Sequence, residues 1–282
     1  MSSDAAGAGP DDTMTPGSPE ALALRRRILR FERTLSSRMA TTTRDLPFGT
    51  ARLCPDLPLM FAASGVEVTH PAAVSEVLRT VGSAFADVGL AHRRITTAVA
   101  EVAWSLAPAL ADRGWQTERL VTMVHDGRTT PPVSPLGFDV VGIERWAPAA
   151  RRFVAGFEWG GDPAVQADRG RWDQRLSQRV GARFVLDRDG VAGCHVYRHG
   201  HIAQIEEVSV LAEGRGQGLG QGLMAAAMAQ CAGASVVFLV ADAEDWPQRW
   251  YRRLGFTPIA AGWDWIRRPP DTRTTADVEH GG

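Results

Sequence analysis

The chain of 282 residues contains no lysine: every one of its 31 basic residues is an arginine. That absence removes whole mechanisms, because a Schiff base, a catalytic ammonium and a Walker-type phosphate loop all require lysine. Cysteine is equally scarce. Cys54, Cys194 and Cys231 lie far apart with no C-x-x-C pair, which is neither a disulfide framework nor a zinc-finger spacing. No apolar run approaches the roughly 20 residues of a membrane-spanning helix. The opening MSSDAAGAGPDDTMTPGSPE carries acidic and small residues where a secretion signal has a positive start and an apolar stretch. A cytoplasmic protein without a membrane partner is the expectation. The net charge of −1 gives no basic footprint for nucleic acid, so that class of partner is not expected either.

What is present suits a globular protein large enough to build a core without staples, as one large domain or two small ones. Residues 1–19 are rich in Gly, Ser, Pro and Asp, a composition that favours a disordered tail. From Glu20 the apolar positions Leu22, Leu24, Ile28, Leu29, Phe31 and Leu35 recur with helical spacing. The stretch DGRTTPPVSPLG, 126–137, holds three prolines and two glycines and reads as a linker. It separates a first domain at 20–125 from a second at 138–268, with a flexible tail at 269–282.

The second domain alternates strands and helices. FDVVGIERW has strand character, and helices follow over 148–157 and 163–179. ARFVLDRDG and VAGCHVYRHG are β-rich runs joined at Asp189-Gly190, a hairpin signal, and HIAQIEEVSVL adds a third strand. Next come the glycine-rich EGRGQGLG, an Ala- and Met-rich helix from Gln221 to about Cys231, and the buried strand SVVFLVAD. Asp245 is the expected N-cap of a short helix through Leu254, which Gly255 ends before a last strand, FTPIAAGWDWI.

The informative segment is Arg215-Gly216-Gln217-Gly218-Leu219-Gly220, between a strand and a helix. Glycines let the backbone bend tightly and leave room where a Cβ would stand. Free N–H groups at the helix start, with the positive end of its dipole behind them, make an anion site suited to a pyrophosphate. The glycine spacing does not fit the Rossmann fingerprint, and a Walker loop needs the missing lysine.

The remaining pattern is Arg-x-x-Gly-x-Gly, and IEEVSVLAEGRGQGLGQGLMAAAM resembles the central motif of the GNAT (GCN5-related N-acetyltransferase) superfamily. Arg215, Gly218 and Gly220 fill the signature positions. WYRRLGF, 250–256, is similar to the family's Y-x-x-x-GF signature, with Tyr251 at the place of the frequent general acid. The likeness spans roughly residues 138–268. It implies an α/β fold whose mixed, mostly antiparallel sheet is flanked by helices, with the fourth and fifth strands splayed apart. It also implies acetyl-CoA as co-substrate, an amine as acceptor, no metal, and a homodimer. The stretch it implies for acetyl-CoA comprises Val208, Ser209 and Val210 on the strand and Arg215, Gly216, Gln217, Gly218, Leu219, Gly220 and Gln221 in and after the loop. Some family members use a strand glutamate as base, acting through water. Strand alternation sets Gln204, Glu206 and Val208 on one face and Ile205 and Glu207 on the other, unless a bulge intervenes beyond Val208. Glu206 is preferred as the base, with Glu207 the alternative.

His195, His199 and His201 span a turn with no helical carboxylate–His pair, which is poor spacing for a metal. The first domain offers no catalytic motif but does offer an echo. LADRGWQTERLVTMV, 110–124, parallels YRRLGFTPIAAGWDWI: a helix end, a Gly-aromatic pair, then a strand. Where the second domain has its glycine loop, the first has VEVTHPAAVSE, with no glycine to admit phosphate oxygens. A degenerate second GNAT-like copy is the expectation, with an unrelated α/β cap as the alternative. At the level of function, an N-acetyltransferase stands against a non-catalytic acyl-CoA-binding module that retained the fold.

Overall fold

The computed structural model describes residues 18–129, 137–157 and 160–269. The tails and the core of the linker read from the sequence therefore lie outside the described residues. Ser18 and Pro19, at the end of the expected tail, instead open the first helix, whose Ala21 N–H is capped by the Ser18 hydroxyl at 3.1 Å.

Two runs of elements follow one another. The first is α1 (Pro19–Met39), β1 (Thr42–Leu46), β2 (Gly49–Leu53), β3 (Gly65–Val68), α2 (Val74–Ala86), β4 (Arg93–Thr97), α3 (Ala100–Ala111) and β5 (Gln116–His125). The second is β6 (Phe138–Val141), α4 (Ile143–Ala155), α5 (Pro163–Arg175), β7 (Arg183–Asp187), β8 (Ala192–His199), β9 (Ile202–Val210), α6 (Leu219–Gln230), β10 (Val236–Asp242), α7 (Pro247–Arg253) and β11 (Phe256–Arg267). From α5 onward the second run repeats the order of the first. The echo read at 110–124 is part of this repeat: α3 and α7 each end at a left-handed glycine, Gly114 (φ 70°) and Gly255 (φ 87°), followed by an aromatic and a long strand. Glycine alone adopts that backbone without a Cβ penalty. The short helix α7 starts later than expected. Its N-cap is Trp246, and Asp245 only accepts a hydrogen bond from the Trp246 N–H at 2.7 Å.

All eleven strands form one sheet in the order β1-β2-β3-β4-β11-β5-β10-β9-β8-β7-β6. The final strands are exchanged between the runs. β5 lies against β10, with Phe238 opposite Val124, while β11 lies against β4, with Trp263 opposite Thr97. The two exchanged strands pair antiparallel along their full length, from Phe256–His125 to Ile266–Gln116. Among the described residues the only parallel neighbours are β3–β4 and β9–β10.

The sheet is packed unevenly. In the second run both faces carry an apolar core. One groups Trp146, Phe184, Leu176 and Phe238 with Ile28, Phe31 and Leu35 of α1, and the other groups Leu223, Met224, Leu239, Tyr251 and Phe256. In the first run only the α2/α3 face is apolar, around Phe48, Phe85, Leu106 and Trp265. Its opposite face, beneath α1, carries Glu67, Arg94, Thr96 and Asp264 around a cavity of about 240 Å³. No helix among the described residues is long and apolar enough to cross a membrane.

Candidate active site

β9 and β10 pair only over Ile202–Gln204 against Val236–Phe238, then part. Among the described residues, the β10-facing edge of β9 has no strand partner from Glu206 to Val210. The divergence coincides with a bulge. Glu207 has φ 53°, the one positive value outside glycine among the described residues, and Cys194 faces both Glu207 and Val208 where the β8–β9 register slips. A left-handed non-glycine residue costs about 1–2 kcal/mol, so neighbouring contacts must hold it.

Those contacts come from α5 and β8. Arg169 donates to Glu207 and, through Nε, to both carboxylate oxygens of the fully buried Asp173 at 2.9 and 3.0 Å. Asp173 also accepts the Trp146 indole N–H at 3.0 Å. His195, buried against Trp146 and Phe184, places Nε2 3.7 Å from the Glu207 carboxylate and Nδ1 2.9 Å from the Tyr197 hydroxyl. Burial lowers His195 to about 4, so the imidazole is neutral near pH 7, while burial raises Asp173 to about 6. Burial alone would raise Glu207, but the Arg169 guanidinium bonded to it brings its carboxyl below the usual carboxylate value. Glu207 is thus a paired anion held in place.

The bulge overturns one expectation. Alternation would put Glu206 and Glu207 on opposite faces, yet both turn to the face of α4 and α5: Glu206 is cross-strand from His195, and Glu207 reaches Arg169. Glu206 accepts from the Gln204 amide at 2.5 Å and has no cation bonded to it. Burial, then Glu207, then Glu32 of α1 push Glu206 up to about 8. Glu32, itself raised to about 7 by burial and Glu67, is the group this adds from the first run.

Tyr251 lies on α7, on the other face, packed between Trp250 (ring centroids 5.1 Å) and Phe256 (6.1 Å). Burial raises its phenol, and Glu206 and Cys194 raise it further. Glu206 is therefore within electrostatic reach of Glu32 on one face and of Tyr251 on the other. The gap between β9 and β10 connects the two faces of the sheet.

The glycine loop closes one mouth of that gap. Gly216 (φ 77°) and Gly218 (φ 76°) are left-handed, with open space where a Cβ would stand, and Gly218 is the N-cap of α6. No side chain caps this helix, so its first N–H groups are free for an anion. A Cβ on Gly220 would sit 3.4 Å from the Trp250 ring, an ordinary van der Waals contact. Arg215 and Gln221 are exposed at the loop, and the Gln217 amide donates back to the Glu213 carbonyl at 2.7 Å. The Leu219 side chain is in the core, so only its backbone faces the loop's ligand side. Val208, Ser209 and Val210 are partly exposed along the open edge of β9, with the Ser209 hydroxyl donating to the Glu207 carbonyl at 3.2 Å. Two features escaped the sequence reading. Trp246, 66% exposed, stands with Trp250 as an aromatic wall beside the loop, and Arg169–Asp173 is a buried pair at helical i,i+4 spacing. The histidines do not converge: His195 is buried, while His199 and His201 are exposed at the β8–β9 turn.

Comparison with known proteins agrees with this geometry. Residues 181–258 match the family model described as Acetyltransferase (GNAT) domain. No curated protein matches the chain. Among solved structures, a GCN5-related N-acetyltransferase from Kribbella flavida is similar over 83% of this chain and 94% of its own, at 23% identity and a TM-score of 0.56. A GCN5-related N-acetyltransferase from Sphaerobacter thermophilus is similar over 78% of this chain and 77% of its own, at 16% identity and a TM-score of 0.52. A functionally unknown conserved protein from Staphylococcus epidermidis has a TM-score of 0.66 at 14% identity, over 80% of this chain and 93% of its own. Residues 181–258 match the GNAT acetyltransferase domain model, and most of the described chain has a fold similar to that of GNAT proteins.

Proposed function

We infer that the chain is an N-acetyltransferase that moves an acetyl group from acetyl-CoA to a primary amine. The observation that carries this reading is the parting of β9 and β10 beside an uncapped glycine loop, with Glu206 and Tyr251 within electrostatic reach of each other. The fit to acetyl-CoA rests on three features. Free N–H groups at Gly216–Gly220 suit the pyrophosphate, and the unpaired edge of Val208, Ser209 and Val210 suits the amides of the pantetheine arm. Trp246 and Trp250 offer an apolar wall beside the loop. Bound acetyl-CoA supplies the thioester; the proton transfers fall to side chains.

The carboxyls set the proton flow. Without ligand, Glu206 near 8 holds its proton at pH 7. An arriving ammonium favours the ionised form, because an opposite charge nearby stabilises it. Glu206 then takes the proton the amine must lose to attack the carbonyl. That transfer removes the negative charge that Glu206 directs at Tyr251, so the phenol becomes a better acid as the thiolate departs. Tyr251 donates to the sulfur. In the first run the counterpart of the glycine loop, Thr69–Ala73, has no glycine, and α2 starts at Ala73 without a side-chain cap. We read that half as a copy that has lost the phosphate cradle.

The test is calorimetry with acetyl-CoA, together with a thiol-release assay over a panel of amines. Tight binding with amine-dependent thiol release is expected. Binding without turnover on any amine would make the chain an acyl-CoA-binding module instead.

A further inference from the structure

The cavity beneath α1 has no role in the chemistry so far. It lies on the same face as Glu206, between α1 and the sheet strands β4, β11, β5 and β10, and is lined among others by Thr96, Thr122, Val240 and Trp263. Its charges are mostly matched. Arg33 and Arg52 both pair with Glu67 at 2.7 and 3.1 Å, and Arg94 grips Asp264 at 2.5 Å. Two lining groups on α1 stand apart from these pairs. Glu32 has no hydrogen-bonded partner among the described residues, and Arg25 bonds only the Ala261 carbonyl, at 3.4 Å, leaving its Nε buried and unpartnered. A second cavity of about 280 Å³ adjoins the first at Arg25.

Arg25 and Glu32 are seven residues apart on one helix, so they share a face about 10 Å apart along the axis. Glu32 is the one nearer the gap: its neighbour Phe31 packs edge-on against Phe238 of β10 at 5.5 Å, and Phe238 pairs with Gln204, which bonds Glu206. A buried charge or donor left unpaired is costly, and a site with one of each sign at a fixed spacing is complementary to a ligand carrying both. We propose that this chamber is the acceptor site, and that the acceptor is an amphoteric primary amine, its ammonium between Glu32 and Glu206 and its carboxylate or other anion on Arg25, about 10 Å away. The first run thereby supplies the acceptor half of the active site. An extended tripeptide spans about 10 Å between its amine and its carboxylate, and so fits the spacing.

The proposal rests on the acetyltransferase reading, and the experiment separates the two. Full-length protein with acetyl-CoA is assayed for thiol release with triglycine, triglycinamide and 1,5-diaminopentane. Expected is a kcat/KM for triglycine at least tenfold above the other two, with Arg25→Gln reducing that preference to near one and Arg25→Lys restoring part of it. Glu32→Gln is expected to lower turnover of all three, with acetyl-CoA affinity unchanged and a thermal midpoint no lower than that of the parent as a control for folding. Equal use of triglycinamide, or a preference that survives Arg25→Gln, overturns the proposal. If no amine is acetylated, calorimetry of triglycine binding decides. Binding weakened about tenfold by Arg25→Gln upholds the chamber while the acetyltransferase reading fails, and no binding at millimolar triglycine overturns both.

Discussion

The two runs of the chain share an element order and differ in what each does with one face of the sheet. In the second run, helices pack apolar side chains against both faces, and the largest group of buried polar side chains sits at the β9–β10 gap and the network behind it. In the first, one face is apolar and the other is left polar under α1. The runs also differ at the start of the helix that follows their three-stranded meander: a left-handed glycine pair opens α6, while Ala73, with an extended backbone, opens α2. The difference teaches that a duplicated fold can divide labour. The copy with the phosphate cradle keeps a tightly packed frame around one strained strand, and the copy without it can leave a sheet face wet.

The largest expected effect breaks the pair apart. A fragment of residues 131–282 lacks β5, which sits between β10 and β11 in the sheet. It should show no cooperative thermal unfolding and no acetyl-CoA binding by calorimetry, and mixing it with residues 18–129 should restore both. An independently folded, CoA-binding fragment would mean that each copy can close its own sheet.

Next is the chemistry. Tyr251→Phe keeps the ring's packing on Phe256 and removes the hydroxyl, so single-turnover thiol release should slow by about 10²–10⁴-fold with acetyl-CoA affinity unchanged. A loss under threefold would leave Tyr251 a packing residue. The loops can then be set against each other. Gly218→Glu puts a side chain at φ 76° and a negative charge at the anion site, and should weaken acetyl-CoA binding by about 100-fold. Ala73→Glu, at the matching position before α2, should leave it within twofold. Equal losses would show that the first copy binds acetyl-CoA as well.

The smallest effect is a slope. Glu206 and Glu32 have folded values raised to about 8 and about 7 from 4.5, so between pH 4.5 and 8 the folded state holds more protons than the unfolded one. Their contribution to stability is complete below about pH 4.5 and is lost as pH rises through 7 and 8. Glu206→Gln should flatten the fall of the thermal midpoint between pH 6 and 8.5. An unchanged slope would mean that these carboxyls are not desolvated.

Local signals were the legible ones. The glycine loop, the Asp189-Gly190 hairpin, the long periodic α1 and the Gly-aromatic echo are each specified within a dozen residues, and each stands where the sequence put it. Strand exchange left no local trace, because β5 and β11 have the same alternation whichever neighbour they pair with. The turn of Glu207 was hidden for a similar reason: alternation assumes a regular strand, and the bulge depends on Arg169 and Asp173, 34 or more residues upstream. Those two, like Glu32, read as the solvated side of a helix. Only the fold reveals that the side faces another polar group.

The exchange of β5 and β11 also sets a timetable for synthesis. β4 needs β11 beside it, and β11 follows all the other described strands, so the first half waits with a bare strand edge until residues 256–267 have been made. Contacts this distant in sequence make for slow folding, and an uncovered edge in the interval invites pairing with another chain. A nascent protein of this design is most vulnerable not at its long loops but at Arg93–Thr97, whose missing neighbour begins 159 residues later.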